Sequence, residues 1–297
     1  MKNRYYVSIV GKSNVGKSTL LNLLCDKYIS TESKKPQTTR INIYSETTIS
    51  ELNIIFIDTP GITLDDNSLL SSTMKNSYIK SLDLVDLVVL VLDIENMNNR
   101  YDDSIINLMS SNRTRFLVLV NKIDLVDSLS EEKISMIKEE LSHISKDNIY
   151  MISLKDNLGI EHFINRGLVD NLKNLKLKKK DIVDSSTHKL LTIQEIIRGV
   201  IVDTTFNELP YDTAVHASNL IIDKKLIKIK ADIIVQKTNQ KKIIIGKNGE
   251  MIKLIGTKSR KILEELYKTK FYLSLNVVVK ENWKNNYNTL KDLKYIE

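Results

Sequence analysis

A doubly wound α/β domain with a mainly parallel sheet, followed by a smaller α+β domain, is the architecture this sequence predicts, and three observations predict it. Short β-branched runs alternate with amphipathic stretches through the first half. Those runs are nearly continuous in apolar residues, which is the mark of strands covered on both faces. Beyond a lysine-rich stretch the rhythm changes to helix, two strands, two helices and a strand, an order that belongs to a separate α+β layer. A length of 297 residues also suits two cores better than one.

In chain order the strand-like runs of the first domain are YYVSIV, INIYSETTI, LNIIFID, DLVVLVLD, RFLVLVNKID and NIYMIS. A helix, TLLNLLCDKY, follows the first of them, and further helix-like segments lie around residues 67–82, 101–111, 131–145 and 158–173. The first domain is expected over residues 1–173 and the linker, rich in lysine, over 174–189. The second domain, with its C-terminal tail, is expected over 190–297. It opens on the helix LLTIQEIIRGVIVDTTF, which stops at NELP with Pro210. TAVHASNLII and LIKIKADIIVQ read as strands, a glycine-containing helical pair comes next, and FYLSLNVVVK is the last strand. Within that pair the triplet Ile243 to Ile245 reads as strand-like.

The 44 Lys and Arg against 37 Asp and Glu leave a net charge of +7. Much of the surplus lies in LKLKKK and after Ile182, so a polyanionic partner is expected at the C-terminal half. Cys25 is the only cysteine, which excludes an intrachain disulfide and suits a reducing compartment. It falls on the apolar side of its helix and reads as a small core residue. His143, His162, His188 and His216 are scattered without metal-ligand spacing. The longest apolar stretch, LVDLVVLVLDI, is interrupted by Asp86 and ends near Asp93, too short and too charged to cross a bilayer. The first strand starts almost at once after Met1, leaving no room for a signal peptide.

Between the first strand and its helix stands GKSNVGKS, from Gly11 to Ser18, the pattern of a phosphate loop. Such a loop turns successive N–H groups inward beside the positive end of a helix dipole. Gly11, Lys12, Ser13, Asn14, Val15, Gly16, Lys17, Ser18 and Thr19 are therefore expected around a triphosphate, with the Lys17 ammonium at its β- and γ-phosphates and the Ser18 hydroxyl on Mg²⁺. DTPG, at the end of the third strand, adds Asp58, Thr59, Pro60 and Gly61, followed by Ile62. Asp58 is expected to hold a magnesium-bound water, and the Gly61 N–H to bond a γ-phosphate oxygen, so that hydrolysis frees the segment after it. NKID, from Asn121 to Asp124, follows the fifth strand. The Asp124 carboxylate accepts from guanine N1–H and N2, where adenine offers no donor, and discriminates by roughly 10⁴-fold. Asn121 would brace loop and base, the Lys122 stem would lie along the ring, and Ile123 lies between them. That preference for guanine counts against an ATP-driven enzyme.

In the second domain, GKNG runs from Gly246 to Gly249, and Met251, Ile252 and Ile255 recur after it at helical spacing while Lys253 and Arg260 stay on the polar side. This is the arrangement a KH domain needs, with two glycines that let backbone approach a sugar-phosphate chain and an apolar groove for about four unstacked bases. Gly246, Lys247, Asn248, Gly249, Met251, Ile252, Lys253 and Arg260 are the expected RNA contacts.

The motifs of the first half resemble a translation-factor-type GTPase domain, and the chain as a whole resembles the Era family, an α/β P-loop GTPase domain followed by a small KH domain. KPQTTR, from Lys35 to Arg40, is similar to that family's first switch, which implies that Thr39, or alternatively Thr38, closes on Mg²⁺. ISLK, from Ile152 to Lys155, resembles the fifth guanine-binding motif, with Ser153 and Leu154 at the base and leucine where the family usually has alanine. Ile62 replaces the glutamine that orients water in the best-known small GTPases. In similar GTPases an asparagine at the position of Asn14 coordinates K⁺; the other reading of Asn14 is a turn former. NELPY, IIIGKNGEMIKLIG and VVVKENWKNN are similar to the family's C-terminal signatures, whereas Ser13 departs from a usual proline and TAVHASN is a loose match. The resemblance implies a monomeric, cytoplasmic GTPase of slow turnover that uses Mg²⁺ and K⁺ and cycles between GTP and GDP. It further implies binding to small-subunit ribosomal RNA near its 3′ end and to the small ribosomal subunit, with part of the protein peripheral to the inner face of the membrane. A second reading makes the basic domain an adaptor for a protein or an acidic membrane surface through Lys176, Lys178, Lys179 and Lys180. GKNG separates the two, since an adaptor has no need of it.

Overall fold

The computed structural model describes residues 4–12, 14–26, 40–59, 68–73, 85–95, 115–128, 130–142, 144–175, 185–223 and 225–296. In the first domain β1 (Arg4–Val10), β2 (Ile43–Ile49), β3 (Leu52–Asp58), β4 (Leu87–Asp93), β5 (Phe116–Asn121) and β6 (Ile149–Met151) form one sheet in the order β2-β3-β1-β4-β5-β6. Only β2 runs antiparallel to its neighbour. The apolar run that predicts β4 is buried at every residue, whereas β2, at the edge, alternates. On one face Val7, Ile9, Val89 and Leu119 pack against α1 (Lys17–Cys25) and a helical run, α3 (160–173). Cys25 lies in that core. On the other face Val88, Leu90, Val118 and Val120 pack against Ile137 of α2 (Glu131–Glu140) and Leu141 beyond it. Strand order reverses about β1, and the loop that follows β1 therefore opens at the carboxyl edge of the sheet, where ligands of open α/β sheets bind. The helix expected at 101–111 lies outside the described residues; of that at 67–82, residues 69–73 are helical.

The second domain is the sheet β7 (Ala214–Ile222), β8 (Leu226–Val235) and β9 (Lys270–Val279), antiparallel then parallel. α4 (Ser185–Thr204), α6 (Thr238–Ile245) and α7 (Glu250–Tyr267) cover one face, burying Ile197, Ile201, Ile229, Ile233, Ile244 and Ile255 together. α5 (Leu209–Asp212) carries Pro210 in its first turn, where a missing N–H costs nothing, and α8 (Tyr287–Asp292) is the last helix. Two expectations need correction. α4 begins at Ser185, inside the stretch 174–189 read as linker, because the apolar period of the later residues lets the helix extend back through polar ones. Ile243 to Ile245 end helix α6 and are not strand-like: Ile244 is fully buried while Ile243 is 53% exposed, a division set by a core on one side only. No helix among the described residues is long and apolar enough to cross a membrane.

Candidate functional site

The loop after β1 is shaped by glycines that no other residue could replace. Gly11 has φ 144°, and a Cβ there would stand 2.3 Å from the Val91 carbonyl oxygen. Gly16 has φ 108°, and a Cβ there would stand 2.5 Å from Asn121 Nδ2. α1 begins just after Gly16 with no side-chain cap, so its first N–H groups and dipole face the loop's interior. Lys17, nearly buried, donates to the Lys12 carbonyl at 2.5 Å. Burial pushes its ammonium down to about 8, with Asp58 opposing the shift. The Ser18 hydroxyl donates to Asp58 Oδ2 at 3.2 Å, which brings two hard oxygen donors together beneath the loop. Thr59 commits its hydroxyl to the Ile9 carbonyl at 2.9 Å and ties β3 to β1. Val15 is buried, Lys12 and Thr19 are half-buried, and Asn14 is exposed at φ 66°. Ser13, Thr39, Pro60, Gly61 and Ile62 lie outside the described residues.

Asn121 joins that loop to the opposite wall. Its amide donates to the Val15 carbonyl at 2.8 Å and accepts from the Leu154 N–H at 3.1 Å. One side chain therefore fixes the distance between phosphate loop and the ISLK segment. Asp124 Oδ1 accepts from the Ser153 hydroxyl at 2.7 Å, and Lys155 Nζ stands 3.5 Å from Oδ2. The Ser153 hydrogen bond, aided by Lys155, holds the Asp124 carboxyl below the usual carboxylate range, so it is an acceptor across the neutral range. Ile123 donates its N–H to the Ile152 carbonyl at 3.2 Å. Lys122, with φ 67°, reaches Asp93 Oδ2 at 2.6 Å. Asp93 is a site residue that sequence reasoning misses; its signal is a carboxylate ending an apolar strand, in register with Asn121.

In the second domain GKNG is a tight turn between α6 and α7. Gly246 has φ 74° and ψ 174°, a region open only to glycine, and Gly249 has φ 79°. Asn248 between them is also left-handed, at φ 52°. Lys247 and Asn248 project at the surface, Met251 and Ile252 are half-buried behind them, and Lys253 and Arg260 are exposed along α7. Exposed backbone, surface cations and an apolar floor are thus brought to one place, as a nucleic-acid strand requires.

The two domains meet at a joint that the sequence marks only as the end of KPQTTR. Arg40, 1% exposed, donates through Nη1 to the Thr213 carbonyl at 2.7 Å and through Nη2 to the Tyr211 carbonyl at 2.6 Å. Its backbone N–H donates to Glu195 Oε2 at 3.1 Å, and Glu195 also takes both Arg198 Nε at 2.9 Å and Nη2 at 2.6 Å. The Arg40 guanidinium lies 5.7 Å from the Trp283 ring centroid. Around it Ile41 and Leu70 of the first domain share one apolar cluster with Trp283, Leu290, Leu293 and Tyr295 of the tail. Both segments that flank the expected switches are therefore fastened to the second domain.

Comparison with known proteins agrees with this geometry. The model of the 50S ribosome-binding GTPase family matches residues 6–122, and that of the KH domain matches residues 208–284. The chain is 36% identical to GTPase Era of Borrelia turicatae (strain 91E135) over 288 residues, covering 97% of this chain and 98% of that one. It is also 36% identical to GTPase Era of Fusobacterium nucleatum, with 98% of each covered. Among solved structures it is similar to a variant of Aquifex aeolicus Era bound to GDP·AlF₄⁻, at 30% identity and a TM-score of 0.84 with all of both chains covered. It is similar as well to Era in complex with MgGDPNP and nucleotides 1506–1542 of 16S ribosomal RNA, at 29% identity and the same TM-score and coverage.

Proposed function

The chain belongs to the Era family of GTPases, and from that premise we propose that it is a GTP-hydrolysing switch that binds small-subunit ribosomal RNA near its 3′ end and assists small-subunit assembly. The observation that carries this reading is the likeness, over the full length of both chains, to the Era complex with MgGDPNP and 16S ribosomal RNA.

In the nucleotide site Gly11 to Thr19 cradle the triphosphate, Lys17 meets the β- and γ-phosphates, and the Gly61 N–H meets the γ-phosphate. Asp124 reads guanine, Asn121 holds the two walls of the site apart at a fixed distance, and Ser153 and Leu154 border the base. The adjacent oxygens of Ser18 and Asp58 suit Mg²⁺, which is bound through few protein ligands and retains water; Thr39 would complete the set. When bound, Mg²⁺ neutralises charge on the β- and γ-phosphate oxygens. Asn14 is exposed in the loop, and its expected role is to hold K⁺; a comparison of hydrolysis in KCl and NaCl at equal ionic strength reads it.

For RNA, the left-handed GKNG turn supplies the close backbone approach, with Lys247, Lys253 and Arg260 as cations and Met251 and Ile252 as floor. Replacing Lys247→Asp and Asn248→Asp together puts two carboxylates against the phosphate chain. The double variant should lose retention of a 16S ribosomal RNA 3′ fragment in filter binding while its GTP affinity stays within about twofold. Retention at the level of the unaltered protein would place the RNA elsewhere.

A further inference from the structure

Gly256 lies in the second turn of α7, an 18-residue helix, and is neither its first nor its last residue. A glycine inside a helix costs stability relative to alanine, so its presence calls for a reason. Backbone conformation gives none, since Gly256 is absent from the positive-φ glycines of the chain and continues the helix on both sides. Packing gives none either: a Cβ there would meet only Leu275 Cδ1 at 3.5 Å, an ordinary van der Waals contact. Gly167 shows the contrast, because a Cβ there would stand 2.9 Å from the Phe163 ring.

What surrounds Gly256 supplies the reason. Ile255, Ser259 and Leu263 form the buried stripe of α7, and Gly256 borders that stripe, half-exposed, on the side that faces Leu275 of β9. Lys253 and Arg260, three residues before and four after, share its face of the helix, and both are exposed. Gly256 lies seven positions beyond Gly249, so it stands about 10 Å along the helix from the GKNG turn, a distance that a strand of one or two nucleotides spans. The position is thus a bare patch of helix backbone beside an apolar side chain, flanked by two cations, in line with the turn where the RNA backbone is expected.

We infer that Gly256 is a base seat: a position without a side chain so that a nucleobase or ribose of single-stranded RNA can lie directly on α7 over Leu275, with its flanking phosphates at Lys253 and Arg260. This rests on the RNA-binding reading above. Gly256 is a specificity-determining residue on this account, because the depth of the seat limits which base fits.

The test exploits opposite signs. Gly256→Ala adds one methyl group to the seat and improves the helix, so it should raise the thermal midpoint by a few degrees while weakening binding of a single-stranded 16S ribosomal RNA 3′ fragment about tenfold or more. Gly256→Leu should weaken it further. Thr257→Ala, a substitution on the exposed face one residue away, should leave RNA affinity within about twofold, and GTP affinity should be unchanged in all three. A lowered midpoint for Gly256→Ala would mean that the glycine serves the fold, and RNA affinity unchanged in both Gly256 variants would mean that no ligand uses the seat; either overturns the inference. Failure of the unaltered protein to bind the fragment in the same assay would instead overturn the RNA reading itself, and the seat with it.

Discussion

Asp124 is legible from sequence because four consecutive letters place it after a strand, but the reason it stays ionised is not. Its acceptor character comes from the Ser153 hydroxyl and Lys155, which reach it only because the ends of β5 and β6 lie side by side. The same holds for Asp93, whose pairing with Lys122 depends on strand register that no local pattern encodes. Changing Asp124→Asn keeps an acceptor for Ser153 but turns the other edge into a donor, which guanine N1–H and N2 cannot use. Competition binding should show GTP weakened by about a hundredfold or more and xanthosine triphosphate, with a C2 carbonyl, preferred over it. Lys17 gives a pH dependence. Burial depresses its free-protein value to about 8, and phosphate oxygens restore the charged form. Below that value the free protein already carries the proton and binding is insensitive to this group; above it GTP binding must take up a proton and weakens as pH rises. Titration calorimetry in buffers of different ionisation enthalpy should therefore show net proton uptake at about pH 8.5 that shrinks towards about pH 7.5.

Among the elements, the strands of the first domain are the most legible, since burial on both faces writes itself as an unbroken apolar run, as in β4. The triplet Ile243 to Ile245 misleads for the complementary reason. Three β-branched residues favour a strand, but α6 is fixed by its surroundings: Gln240 accepts from the N–H groups of Gln236 and Lys237 at 2.9 and 3.0 Å, and Ile244 anchors the helix in the core. Tertiary contacts outweigh propensity there. The GKNG glycines carry unequal demands. A Cβ at Gly246 would meet the Met251 Cβ at 2.7 Å in addition to an unfavourable φ, whereas at Gly249 nothing stands within 4 Å and only the φ of 79° opposes it. Gly249→Ala should therefore cost about 1 kcal/mol and Gly246→Ala about 2–3 kcal/mol or more, an order that denaturant unfolding of the two variants reads directly.

At the scale of the molecule, the joint at Arg40 links what the motifs describe separately. Burial and the neighbouring Arg198 both disfavour the charged Arg40, whereas Tyr295 and Glu195 favour it and the Thr213 and Tyr211 carbonyls accept from its guanidinium. Arg40 directly follows Thr39, the residue expected to close on Mg²⁺ with GTP, and on the other side Leu70 and the tail residues from Trp283 share its cluster. The sequence shows the arginine but not its destination, because Tyr211, Thr213 and Glu195 are more than 150 positions away. Arg40→Met should preserve the fold, since Glu195 keeps Arg198, yet break the link between nucleotide and RNA. The most direct test of the whole account is the affinity of the protein for a 16S ribosomal RNA 3′ fragment measured at one fixed salt concentration with GDPNP and with GDP. We predict binding at least about tenfold tighter with GDPNP, about 1.4 kcal/mol of coupling, narrowing to within about twofold in Arg40→Met. Equal affinity of the unaltered protein in the two nucleotide states would contradict it.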